Sequence, residues 1–330
     1  MKLEKNSLFF VLAIFTLSSH IYSQNRKIPR PSTPSTYEEY YQKSFVGIGN
    51  LKYFEQAYPD IIFQRRYNKE VDDWIITITV PNTPGKKDES GRQFEFYWAN
   101  GRMLPENELK NKDKYWSLLT YYSKTIRDPA TLSENEKKAI LFYTSEESRE
   151  GSKGSPMFFF DAVYDTKTRG STEKHIKTIK FINKYTNVHE RIVIPMKNDE
   201  AKIIEAAKND KKIEEFLKNI KTYDSYAWRE IRGTGRRSFH GLGLATDIMP
   251  KYLRGKHIFW SWTKDKYPKT WMEMPLERRW IPPQKIIDIF ESEGFIWGGK
   301  WVIYDNMHFE YHPELILYNE QEDLFPWNIH

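Results

Sequence analysis

None of the 330 residues is cysteine. That absence removes disulfides, thiolate metal ligands and a lipidated cysteine anchor together. It weighs heavily because the chain starts like an exported one. Lys2 and Lys5 precede an apolar run over residues 8–17, too short to span a bilayer and of the length of a secretion-signal core. Small and polar residues follow, so cleavage is expected near Ser23 or Gln24. Residues 1–24 are then a signal peptide, and the mature protein is secreted or periplasmic. Without disulfides, stability must come from the hydrophobic core and from any bound metal. Material for a core is present: 16% of residues are aromatic, with 11 Trp and 21 Tyr, so extensive disorder is not expected. The length suits one large or two ordinary domains.

Charge excludes some partners. Lys and Arg number 51 against 45 Asp and Glu, giving a net charge of +6. The two signs are interspersed. No dense basic block marks a nucleic-acid arm, and the excess supports at most a mild attraction to an anionic polymer such as cell wall. No later segment is apolar enough to cross a membrane, so no stable membrane insertion is expected after signal cleavage. The sequence does not fix the oligomeric state.

Residues 25–36, rich in Pro, Ser and Thr, read as an extended linker. Residues 37–165 form an N-terminal region without a recognisable motif. In it a strand is expected over 74–80, a hairpin turn at Asn100-Gly101 within 94–103, helices over 115–126 and 134–143, and an exposed loop over 145–156. Residues 166–330 form the second region. A strand is expected over 191–195, ended by proline, and helix over 199–223, broken near Asn209-Asp210. A further helix follows Pro282-Pro283 and stops at Gly294, and paired strands lie over 295–309 around Gly298-Gly299. Helices and strands do not alternate regularly, so the fold class is α+β.

Two stretches carry the chemistry. One runs from Ser238 through His240 to Asp247, the other from Trp297 through Trp301 and Asp305 to His308 and Glu310. A catalytic zinc takes three nitrogen or oxygen ligands and leaves a fourth position for water, which two histidines and one carboxylate can meet. Gly241, Gly243 and Ala245 let the chain turn and pack closely between His240 and Asp247. Asp305, three residues before His308, could take a proton from the water. Spacing alone leaves the metal role open, since an isolated histidine is more often a surface or core residue. His189-Glu190 begins like a His-Glu-x-x-His zinc helix, but position 193 is Val, and it is rejected as a metal site.

The pattern Ser238-x-His240-x-x-Gly243-x-Ala245-x-Asp247, then Trp297-Gly-Gly-x-Trp301 and Asp305-x-x-His308-Phe-Glu310, resembles the D-Ala-D-Ala metallopeptidase family. That family includes D,D-carboxypeptidases, vancomycin-resistance dipeptidases and L-alanyl-D-glutamate endopeptidases. The resemblance covers about residues 176–314 and is sharpest over 228–247 and 294–314. It implies zinc held by His240, Asp247 and His308, with Asp305 as general base. It further implies that Arg229 polarises the scissile carbonyl or binds a substrate carboxylate, and that Ser238 lines the substrate site. Arg232, Arg236 and Arg237 are rivals to Arg229. Glu310 is either a partner that orients a ligand histidine or a plain strand residue. Trp297 and Trp301 are read as core or cleft wall, and His312 as peripheral. The implied fold is the α+β zinc fold shared with the hedgehog signalling domain, a small antiparallel sheet flanked by helices.

The substrates implied are peptidoglycan stem peptides. Asp rather than Glu before His308, with the Trp-Gly-Gly-x-Trp run, leans toward an L-Ala-D-Glu type endopeptidase, and the alternative is a D-alanyl-D-alanine carboxypeptidase. A reading of another class is a non-catalytic, zinc-containing cell-wall binding module. Loss of the acid at 305 would favour that module, and the acid is present.

Overall fold

A computed structural model describes residues 46–231 and 234–321 of the chain. The expected signal peptide, the expected linker and Arg232 lie outside the described residues. The architecture mixes helices with small antiparallel sheets, as expected for α+β. Strands β1 (Ile62–Asn68), β2 (Asp73–Val80) and β3 (Arg92–Tyr97) form one sheet with β2 in the middle. β4 (Ile176–Phe181) and β5 (Lys184–His189) form a hairpin. β6 (Ile220–Asp224), β9 (Ala245–Pro250), β10 (Phe295–Trp297) and β11 (His308–Tyr311) form the sheet that matters most, in the order β10-β11-β9-β6. Between them lies a ribbon of β7 (Glu230–Ile231) and β8 (Arg236–Arg237).

Local signals explain many of these elements. β2 reads Asp-Trp-Ile-Ile-Thr-Ile-Thr-Val, and its β-branched side chains suit a strand with neighbours on both edges. The helix Glu134–Tyr143 starts at a Ser133/Glu136 capping box, which satisfies two otherwise free amides. The helix Gln284–Ser292 follows Pro283, buries Ile286, Ile287, Ile289 and Phe290, and ends before Gly294, whose φ is +92°. Its Phe290 lies against Phe309 and Phe295, with centroids 4.3 and 5.5 Å away, and so backs the four-stranded sheet.

Four expectations are corrected. Residues 115–126 are not helical. Their amides turn to distant acceptors instead: Trp116 N donates to Gly154 O, Leu118 N to Gly101 O, and Tyr122 N to Asn319 Oδ1. Residues 145–156 are not all loop, because Ser145 caps a short helix, Glu146–Gly151. Residues 191–195 are not a strand. A long helix, Val193–Asn209, begins there, and Pro195 sits in its first turn, where the missing N–H costs nothing. The helical pattern does break at Asp210, whose side chain caps Lys211–Lys218, but Ile220–Asp224 is strand rather than helix. The Asn100-Gly101 reversal is present and closes a single bridge, Tyr97 to Leu104.

One hydrophobic core takes residues from both sides of position 165, including Phe54, Phe159, Phe160, Phe239, Phe290 and Phe309. Arg237 clamps Asp161 through both carboxylate oxygens, at 2.8 and 2.6 Å. The Trp297 amide donates to Tyr122 Oη at 2.8 Å.

Asp199, inside the helix Val193–Asn209, is fully buried, and neither carboxylate oxygen has a hydrogen-bond partner. Burial, with Glu293 nearby, pushes its carboxyl up to about 9. An unfolded Asp titrates near 3.9. The native state therefore keeps a proton that the unfolded chain has released over roughly pH 5–8, and stability falls as pH rises there, by about 1.4 kcal/mol per pH unit for this group. Asp199→Asn is expected to flatten that slope. Its stability relative to the native protein should rise by about 4 kcal/mol from pH 5 to pH 8. Denaturant unfolding at several pH values measures this, and parallel curves would remove Asp199 as the source.

Candidate metal centre

The register of the four-stranded sheet assembles the site. β11 pairs antiparallel with β9 so that His308 stands opposite Asp247, and cross-strand partners on one face are close neighbours. His240 arrives from the 3-10 turn Phe239–Leu242 that leads into β9. Gly243 ends this turn with φ +72°, and a Cβ there would lie 2.9 Å from the His189 amide, so a side chain is excluded on both counts. Ser238 caps the turn, its Oγ accepting from the His240 amide at 3.2 Å.

The result is a buried triangle. His240 Nε2 lies 3.2 Å from Asp247 Oδ1 and 3.2 Å from His308 Nδ1, and His308 Nδ1 lies 2.9 Å from Asp247 Oδ1. The far ring nitrogens decide what these atoms can do. His240 Nδ1 donates to the Ser225 carbonyl at 2.6 Å, and His308 Nε2 donates to Glu310 Oε2 at 2.9 Å. A carbonyl and a carboxylate can only accept, so in a neutral ring each of these bonds leaves the other nitrogen as a lone pair. Two lone pairs and one carboxylate oxygen then face one another, an arrangement that needs a shared cation. Tetrahedral zinc with ligand bonds of about 2.0–2.2 Å spaces its ligand atoms roughly 3.3–3.5 Å apart, close to what is seen. The donor set fits zinc, and among the described residues it is the one cluster of this kind.

Electrostatics agree. Burial pushes Asp247 upward, but its close contacts with His240 and His308 outweigh it and hold the carboxyl below the usual range. Burial pushes His308 down, and Asp247 with Glu310 overcome it and raise it well above an ordinary histidine. Without a cation the cluster would thus keep a proton, and a divalent metal competes for that place.

Asp305 sits beside the triangle on the loop between β10 and β11. Its amide donates to Gly298 O at 3.0 Å. A Cβ on Gly298 would approach Asp305 O to 2.7 Å, so glycine is required for this loop to close. Asp305 Oδ1 is shielded from water and has no hydrogen-bond partner. Burial raises its carboxyl to about 7, with Asp247 adding to the rise and His308 opposing it.

The arginines separate by their partners. Arg229 is exposed, and its Nη2 reaches within 3.9 Å of Asp247 Oδ2, at the mouth of the site. Arg236 binds Ser152 and Lys153 carbonyls, and Arg237 binds Asp161 and the Thr166 carbonyl. Both are occupied away from the triangle. Trp297 is fully buried core, whereas the half-buried Trp301 lies 5.5 Å from the His308 ring. His189 is buried and bonded to the Tyr164 carbonyl, and burial pushes it down to about 4. His312 is not peripheral. It is buried with one nitrogen 3.2 Å from Glu310 and the other 2.8 Å from Glu314, and these carboxylates overcome burial and raise it to about 9. Its spacing of two from Glu310 and four from His308, just past the end of β11, was the available clue.

Residues 232–311 match a family model described as D-alanyl-D-alanine carboxypeptidase. Residues 232–311 are thus similar to the D-Ala-D-Ala peptidases. The matched span contains His240, Asp247, Asp305 and His308 and agrees with the resemblance read from the two motifs. The peptidase family points to zinc-dependent hydrolysis of cell-wall peptides. Residues 50–120 match a second model described as a domain of unknown function. No curated protein matches the chain, and no solved structure does.

Proposed function

We propose that the protein is a zinc peptidase that cuts peptidoglycan stem peptides outside the cytoplasm. The observation that carries this is the convergence of His240 Nε2, Asp247 Oδ1 and His308 Nδ1 on one point beside Asp305, whose buried Oδ1 has no hydrogen-bond partner. His240, Asp247 and His308 hold the metal. Zinc bound there supplies a Lewis acid that makes water more acidic and polarises a carbonyl. Asp305 accepts the proton from the attacking water as the carbon–oxygen bond forms. The peptide C–N bond then breaks, and Asp305 returns that proton to the leaving amine. A carboxyl raised to about 7 suits both steps. Ser238 braces the His240 turn, and its hydroxyl hydrogen is free to meet substrate.

Arg229 stands where a substrate carbonyl or carboxylate would enter, and its planar fork gives a directed pair of donors that lysine lacks. If it stabilises the developing oxyanion, Arg229→Lys lowers kcat and kcat/KM together with zinc retained. That outcome is expected from its place within 3.9 Å of a metal-site carboxylate. A loss confined to KM would make it a carboxylate anchor instead, and unchanged kinetics would remove it from the site.

Within this activity the preferred reading is an L-Ala-D-Glu type endopeptidase, supported by Asp at position 305 and the Trp297-Gly-Gly-x-Trp301 run. The description of the matching family favours a second reading, a D-alanyl-D-alanine carboxypeptidase. Mass spectrometry of muropeptides after incubation with the zinc-loaded protein separates them. The first releases L-alanine-linked fragments from the rest of the stem, and the second releases terminal D-alanine. No cleavage of either kind would overturn the peptidase reading. Export is supported by the charged start and short apolar run, and N-terminal sequencing of mature protein beginning at Met1 would refute it.

A further inference from the structure

A line of buried polar contacts leaves the metal centre and ends in the N-terminal region. His308 Nε2 donates to Glu310 Oε2 at 2.9 Å, and Glu310 Oε1 lies 3.2 Å from His312 Nε2. His312 Nδ1 donates to Glu314 Oε1 at 2.8 Å, and Tyr58 Oη donates to Glu314 Oε2 at 2.9 Å. Each carboxylate uses one oxygen toward each neighbour. Both nitrogens of His312 face carboxylates, so both carry protons. Most of the line is buried: Tyr58 is 3% exposed, His312 6% and Glu314 0%. Aromatic rings seal it. Phe160 and Phe239 lie 5.3 and 4.5 Å from the His312 ring, and Phe159 lies 5.2 Å from Tyr58.

A row of buried charges is costly unless every member is held in good geometry. A hydrophobic cross-link between the same segments would cost less, so simple cohesion is a poor account of it. The line does what cohesion does not: it fixes the ring of a metal ligand. His308 can offer Nδ1 to the centre only while Nε2–H is held, and Glu310 holds it. Glu310 is itself kept in place by His312, and His312 by Glu314.

We propose that Tyr58, Glu314 and His312 are positioning residues for the metal centre, acting on His308 through Glu310. The residues that bind the metal and those that aim it thus come from both the C-terminal region and the N-terminal region. This inference rests on the reading of His240, Asp247 and His308 as zinc ligands.

The test uses the full mature chain and reads zinc affinity by competition with a chromophoric chelator, the visible spectrum of the cobalt-substituted protein, and the melting of the metal-free protein. Glu310→Gln is expected to weaken zinc binding by about 10–100-fold, the usual effect of losing a group that orients a ligand. Tyr58→Phe and Glu314→Gln are expected to weaken it by about tenfold, the low end of that range, with a shifted cobalt spectrum. Two conservative variants guard against one that folds poorly. If Tyr58→Phe and Glu314→Gln keep the native affinity and spectrum, the inference is overturned, whether or not the metal-free protein melts earlier, because the contacts are then structural only. That result leaves the zinc reading intact. Failure of the native protein to bind zinc would overturn both.

Discussion

His240→Ala and His308→Ala are each expected to strip the protein of zinc and reduce peptide hydrolysis to background. Each histidine supplies one of three protein ligands, and no cysteine exists to replace it. Loss of His308 also leaves Glu310, with only His312 beside it, as an incompletely paired buried charge, which raises the cost of the empty site. Removal of His240 leaves the Ser225 carbonyl without its donor. Metal analysis after equilibration with a weak chelator gives the result: one equivalent in the native protein and none in either variant. Full retention in both would mean the triangle is not the metal site. Because ligands bind in deprotonated form, zinc affinity of the native protein should also fall as pH is lowered.

Asp305→Asn is expected to keep its zinc and lose turnover by about 10²–10⁴-fold, the usual contribution of a general base. Asparagine matches aspartate in shape, and Asp305 is outside the triangle, so the metal stays. The pH profile sharpens the test. A base must be ionised to accept a proton, so the native kcat/KM should fall as pH drops through the Asp305 value. Burial sets that value at about 7, and a neighbouring dication draws it lower. The residual activity of Asp305→Asn should lack this acid limb. A variant with near-native activity would remove Asp305 from the mechanism, and one that loses zinc would make it a ligand.

The sequence by itself determined whatever depends on neighbours a few residues apart. The Ser133/Glu136 capping box starts its helix, the β-branched run over 73–80 makes a central strand, and Pro283 and Gly294 bracket a helix because their backbone preferences act locally. The donor types of the centre were likewise readable, because ordered motifs carry them. Tertiary structure decided what depends on distant partners. Residues 115–126 have helical spacing, yet acceptors at Gly101, Gly154 and Asn319 claim their amides. Asp161, Thr166 and the 152–153 carbonyls engage Arg236 and Arg237, whereas Arg229 reaches toward Asp247, and nothing in the local sequence distinguishes the three. The pairing of β9 with β11 put Asp247 against His308 across 61 residues, and Tyr58 meets Glu314 across 256. No local pattern encodes such contacts, because they exist only once a shared core has closed the intervening chain.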